Sequence, residues 1–149
     1  GEGGGGEAKP SSAKGKGEHI LLADDERLVR EATSEVLESI GYKVLQAKDG
    51  LEAVEVFNMR QQDIALAVLD VVMPHGSGVQ VAEELRELNP DVPVIFITGY
   101  DKEQVLGERV PMQNSEILSK PVRLDVLTDC IRRSLDRVVE THEMKRPVG

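Results

Sequence analysis

The residues of this chain best suited to chemistry stand at the ends of short apolar runs. HILLA (His19–Ala23) leads into Asp24 and Asp25, IALAVL (Ile64–Leu69) into Asp70, VPVIFI (Val92–Ile97) into Thr98, and EILS (Glu116–Ser119) into Lys120 and Pro121. Brought together, these groups complement one another. Neighbouring carboxylates repel and raise each other's pKa. A small hard cation relieves that repulsion, and Mg²⁺, which binds a few carboxylates together with a phosphate and keeps several waters, suits the set. A carboxylate can also attack phosphorus and form an acyl phosphate. The group in transfer spreads negative charge over three oxygens. The metal can take one, Lys120 a second and the Thr98 hydroxyl a third, stabilising the transition state electrostatically. Asp70 closes the most apolar run, so its backbone is expected to be rigid and its carboxylate aimed.

The elements that must position these residues follow from the patterning. His19–Ala23 reads as a buried parallel strand. Val29, Ala32, Val36 and Ile40 recur at helical spacing before the stop signal Gly41. Tyr42–Ala47 reads as a second strand, Asp49-Gly50 as a turn, and Ala53, Val54 and Phe57 mark a second helix. Ile64–Leu69 is wholly apolar and therefore central. A loop with Met73-Pro74 and Gly76-Ser77-Gly78 precedes a helix marked by Val81, Ala82, Leu85 and Leu88. Val92–Thr98 and Glu116–Ser119 are strands, residues 101–111 are weakly helical with Gly107 and Pro111 interrupting, and Leu124, Leu127, Ile131 and Leu135 mark a last helix ending near Arg137. Strand and helix alternate five times, which implies α/β architecture: a doubly wound five-stranded parallel sheet with helices on both faces. In such a sheet ligands bind beyond the carboxyl ends of the strands, where strand order reverses. The acids, the hydroxyl and the ammonium all fall at those ends.

The constellation resembles the receiver domain of two-component response regulators over roughly residues 19–137. The resemblance rests on the acid pair in LLADDE, the aspartate in VLDVVMP, the threonine in FITGY and the lysine in LSKP, in order and each at a strand end. It implies a flavodoxin-like receiver fold with strand order 2-1-3-4-5. It implies Asp70 as phosphoacceptor, and Asp24, Asp25, Asp70 and the Val72 backbone carbonyl as the shell of Mg²⁺ or Mn²⁺, with Asp25 a direct ligand. The phosphoryl group would come from a histidine kinase, a phosphotransfer domain or a small acyl phosphate, and a homodimer is compatible. Such a domain catalyses only its own phosphorylation and dephosphorylation. Two positions depart from the family pattern. Ile117 stands where an aromatic residue often reorients with the threonine on activation, and the segment between Thr98 and Lys120 is poor in helix signals. Val72 and Tyr100 occupy positions that tune phosphate lifetime in the family.

Taken singly, the motif residues have plainer readings. Asp24-Asp25 could be a helix cap and its neighbour, Thr98 a β-branched strand residue, and Lys120 a turn lysine; their convergence favours a site. Asp49-Gly50 is read as a turn and His75 as a solvent-facing loop histidine. His19 and His142 are read as incidental, and Cys130 as a small core or boundary residue. A phosphoaspartyl hydrolase of the haloacid-dehalogenase type needs a second acid two residues after its nucleophile, where Val72 stands. A phosphorylation-independent interaction module would have no use for the intact acids, Thr98 and Lys120.

The chain has 149 residues, 40 % hydrophobic and 30 % charged, with a net charge of −9 and one cysteine. That length supports one domain with a substantial core. The acidity disfavours nucleic acid as a partner, no apolar run is long enough to span a membrane, and a single cysteine suits a cytoplasmic setting. Residues 1–17, rich in Gly, Ser and Lys, read as a flexible linker. Residues 18–137 read as the phosphoacceptor domain and 138–149 as a frayed tail. The glycine-rich lead suggests the C-terminal receiver of a hybrid sensor histidine kinase, a cytoplasmic domain whose parent could be membrane-attached. A stand-alone single-domain regulator is the alternative.

Overall fold

A computed structural model of the chain describes residues 14–99 and 113–145. The elements are β1 (His19–Ala23), α1 (Arg27–Ser39), β2 (Lys43–Ala47), α2 (Gly50–Arg60), β3 (Ile64–Asp70), α3 (Gly78–Leu88), β4 (Val94–Thr98), β5 (Ser115–Ser119) and α4 (Leu124–Lys145). All strand pairs are parallel and the order is β2-β1-β3-β4-β5. The apolar β3 lies at the centre, as its lack of polar alternation requires. The register sets Ala23 beside Leu69, Asp70 beside Ile97 and Thr98 beside Ser119, so the functional strand ends reach a common level.

Side chains alternate across the sheet with period two. Leu21, Ala67, Leu69 and Phe96 pack with Ala53 and Phe57 of α2 and with Val81, Ala82 and Leu85 of α3. Ile20, Leu22, Leu66, Val68, Ile95 and Ile97 pack on the other face with Leu37 of α1 and with Leu127, Cys130, Ile131 and Leu135 of α4. Asp49 does more than turn the chain: its side chain accepts a hydrogen bond from Glu52 N at 2.8 Å and caps α2. Ser77 and Gln80 form a reciprocal capping box that starts α3 directly behind the Asp70 loop.

The structure departs from the sequence reading in three places. On α1 the stripe Val29–Ala32–Val36–Ile40 is buried only in part: Val29 and Ala32 are exposed, Val36 and Ile40 are half-buried with Ile40 packed on the core, and the buried residues are Ser34 and Leu37. Spacing alone selects apolar residues, whereas the inward face also carries the small polar Ser34. At the C-terminus, α4 continues past Arg137 to Lys145. Nothing in that stretch breaks a helix before Pro147. Of the segment read as a linker, residues 1–13 lie outside the described residues and residues 14–17 are tied to the domain. Gly15 N and Gly17 N donate to the carbonyls of Ile40 and Gly41, each at 2.8 Å, and Arg132 donates to the Lys14 carbonyl at 3.0 Å. Tyr100 and the weakly helical segment 101–111 lie outside the described residues.

Candidate functional site

Asp24, Asp25, Asp70, Thr98 and Lys120 come from the ends of four strands onto one edge of the sheet. One carboxylate oxygen from each of Asp24, Asp25 and Asp70 falls within a set whose members are all within 4.8 Å of one another. Asp70 is 2 % exposed and Asp24 is buried, while Asp25 faces solvent. Each oxygen of Asp70 has a partner: Val72 N donates to Oδ1 at 3.2 Å and Lys120 Nζ to Oδ2 at 2.9 Å. The Lys120 main chain is fixed as well, its N–H donating to the Thr98 carbonyl at 2.7 Å. Thr98 itself is fully buried.

The loop after Asp70 is tied to both its neighbours. Val71 N donates to Ile97 O and Gly78 N to Val71 O, each at 2.9 Å. Gly78 must be glycine, because a Cβ there would collide with the Asp70 carbonyl oxygen. The first turn of α3 therefore presses directly on the Asp70 backbone. His75, in the same loop, is exposed and adopts a left-handed φ of 58°.

Electrostatics follow from this crowding. Burial pushes the Asp24 carboxyl above its ordinary range, and the charges of Asp70 and Asp25 push the same way. The Glu26 N–H, donating to Asp24 Oδ1 at 2.9 Å, opposes the shift without cancelling it. Partial burial pulls the Lys120 ammonium down. The hydrogen bond and charge of Asp70, with Asp24 and Glu26 beyond, outweigh it and hold the ammonium above its usual value. Three carboxylates against the paired Lys120 leave about two negative charges when all are ionised. A hard oxygen donor set with that deficit fits a divalent cation such as Mg²⁺.

The family model for the response regulator receiver domain matches residues 20–132. The chain belongs to the response regulator receiver family. The response regulator receiver protein CpdR of Brucella abortus is 31 % identical over 116 residues, covering 78 % of this chain and 95 % of that one. The sensor kinase CckA of Brucella abortus is 34 % identical over 119 residues, which is 79 % of this chain but 12 % of the kinase. Among solved structures, a receiver domain protein from Clostridium thermocellum superposes with a TM-score of 0.73 at 28 % identity, covering 80 % of this chain and 95 % of that one. The chain spans less than two thirds of several curated relatives, 28 % of one and 54 % of another.

Within this receiver, the residues expected from sequence to act together lie together. Val72 is 54 % exposed, with its N–H turned to Asp70. Ile117 is half-buried on β5, in register with Phe96 and packed toward the α2/α3 face. Sequence reasoning missed Arg30 and Gln46. Arg30 Nη1 donates to the Asp24 carbonyl at 2.8 Å, and Nε donates to Gln46 Oε1 at 3.0 Å. Nothing but position, one turn into the helix after the acid pair, could have flagged that arginine. Among the described residues no helix is long and apolar enough to cross a membrane.

Proposed function

We propose that this receiver takes a phosphoryl group onto Asp70 in a divalent-metal-dependent reaction and relays the signal by changing its protein contacts. The observation that carries the reading is the buried Asp70 carboxylate, fixed by Val72 N and Lys120 Nζ and adjoined by Asp24 and Asp25. In the reaction a carboxylate oxygen of Asp70 attacks phosphorus. An O–P bond forms as the bond from phosphorus to the donor's imidazole nitrogen, or to the carboxylate oxygen of a small acyl phosphate, breaks. The leaving group keeps the bonding electron pair. Asp24, Asp25, Asp70 and the Val72 carbonyl would hold Mg²⁺ or Mn²⁺, and a metal bound there would supply charge neutralisation for the phosphoryl oxygens. Lys120, already beside Asp70, neutralises a second oxygen, and the Thr98 hydroxyl hydrogen-bonds a third.

The donor is a histidine kinase or a phosphotransfer domain. Leu28 and Val29, 74 % and 47 % exposed in the first turn of α1 three and four residues after Asp25, offer it an apolar contact, and Val29 lines a cleft with Asp24 and Lys120. Similarity to CckA favours the receiver of a hybrid kinase. The match to nearly the full length of CpdR favours a stand-alone regulator as the second reading. Intact-mass measurement after incubation with Mg²⁺ and acetyl phosphate tests the chemistry. The wild type gains one phosphoryl group, and Asp70→Asn or wild type with chelator gains none. A wild type that stays unmodified and does not respond to beryllofluoride contradicts the reading.

A further inference from the structure

We infer that Arg30 is a positioning residue for the metal-binding acids, acting through the Asp24–Asp25 peptide; the inference rests on the metal-dependent reading above. Residue Asp24 is held at three points, of which the last is on the peptide that joins it to Asp25. Its N–H donates to the Ala47 carbonyl of β2 at 3.1 Å. Its side chain accepts from Glu26 N at 2.9 Å. Its carbonyl accepts from Arg30 Nη1 at 2.8 Å, and the same guanidinium is steadied by Gln46 of β2 through Nε at 3.0 Å. That carbonyl belongs to the peptide bond joining Asp24 to Asp25. Fixing the peptide plane fixes the direction in which the Asp25 Cα–Cβ bond leaves the chain.

Asp25 depends on this more than its neighbours do. Asp70 is buried and held on both oxygens, and Asp24 is buried and capped by Glu26 N, whereas Asp25 is exposed. An exposed carboxylate on a loop keeps a metal-ready direction only if its backbone does. A planar fork spanning a main-chain carbonyl and a side-chain amide is a task for arginine rather than lysine, whose ammonium lacks a fork of fixed geometry. A metal pocket set beforehand binds with less ordering cost than one that must be assembled. Arg30 is half-buried, four residues beyond Glu26, whose carbonyl accepts the Arg30 N–H at 2.9 Å. The Arg30 main chain is thus bonded to Glu26, the same residue whose N–H donates to the Asp24 carboxylate.

The test is Mg²⁺ titration of wild type, Arg30→Ala, Arg30→Lys and Gln46→Ala. Binding is read by calorimetry and by amide NMR shifts of Asp24 and Asp25, alongside the Mg²⁺ dependence of acetyl phosphate labelling. Arg30→Ala is expected to weaken Mg²⁺ binding roughly tenfold and to raise half-saturating Mg²⁺ for labelling in parallel. The labelling rate at saturating Mg²⁺ should stay within about twofold of wild type, because Asp70, Thr98 and Lys120 are untouched. Arg30→Lys should restore part of the affinity, and Gln46→Ala should lose less than Arg30→Ala. An Arg30→Ala protein that is less heat-stable yet binds Mg²⁺ like wild type, with unshifted Asp25 amide resonances, would make the contact merely structural and overturn the inference. A wild type that binds no Mg²⁺ would instead defeat the functional reading beneath it.

Discussion

Lys120 is gripped twice, by its main chain at Thr98 and by its ammonium at Asp70, and both grips bear on what its loss would do. Lys120→Ala leaves a nearly buried carboxylate facing Asp24 with no cation. It should cost about 1–3 kcal/mol of stability in metal-free protein, read from denaturant midpoints, and Mg²⁺ should restore much of it. Asp24 behaves in the opposite sense. Its pKa is raised in the fold, so its favourable contribution is present below the ordinary aspartate range and is lost as pH rises through the raised value. At neutral pH the ionised form works against folding. Asp24→Asn, which can still accept from Glu26 N, should therefore raise the melting temperature of chelated protein by a few degrees, on the order of 1 kcal/mol. The gain should shrink at mildly acidic pH; an equal gain at both pH values would contradict the assigned cause. At this scale the sequence was informative about placement: the acids, Thr98 and Lys120 stand at the strand ends where their positions after apolar runs put them. It was silent on Arg30, because an arginine on a helix looks the same whether it faces water or grips a carbonyl.

The elements bring strand ends to one level, and short polar devices hold the connections. Ser77 caps α3 through Gln80 N at 3.2 Å, and the glycine after it lets α3 begin against the Asp70 backbone. Ser77→Ala should cost about 1 kcal/mol and leave the site intact. Gly78→Ala should cost more and also slow Asp70 labelling, since the displaced backbone is that of Asp70, the proposed phosphoacceptor; denaturation and labelling on the same samples separate the two effects. Strand positions were readable because a short apolar run that stops at a polar residue suits a buried parallel strand, and the all-apolar β3 does lie at the centre. The buried face of α1 was not, because its core contact uses Ser34 beside Leu37 while apolar Val29 stays outside. The extent of α4 was missed because Val138-Val139 followed by polar residues resembles a fraying end, although no glycine or proline stops the helix until Pro147.

At the scale of the whole molecule, the two cores lie on opposite faces of one sheet, and the site lies at the carboxyl ends of its strands. Exposed Leu28, three residues after Asp25 in the first turn of α1, gives a way to separate chemistry from recognition. Leu28→Asp should slow phosphoryl transfer from a protein donor at least tenfold while leaving acetyl phosphate labelling within about twofold, because the reacting groups are unchanged. Equal slowing with both donors would mean that the helix start serves the site rather than the partner. In the proposed reaction the carboxylate of Asp70 itself carries the phosphoryl group. Borohydride reduction after labelling with Mg²⁺ and acetyl phosphate tests it most directly, since an acyl phosphate is reduced to an alcohol and an aspartate so modified is read as homoserine by peptide mass spectrometry. The predicted result is homoserine at position 70, dependent on Mg²⁺. Homoserine at position 24 or 25, or a phosphoryl group that resists reduction because it sits on a hydroxyl or an imidazole, would contradict the claim.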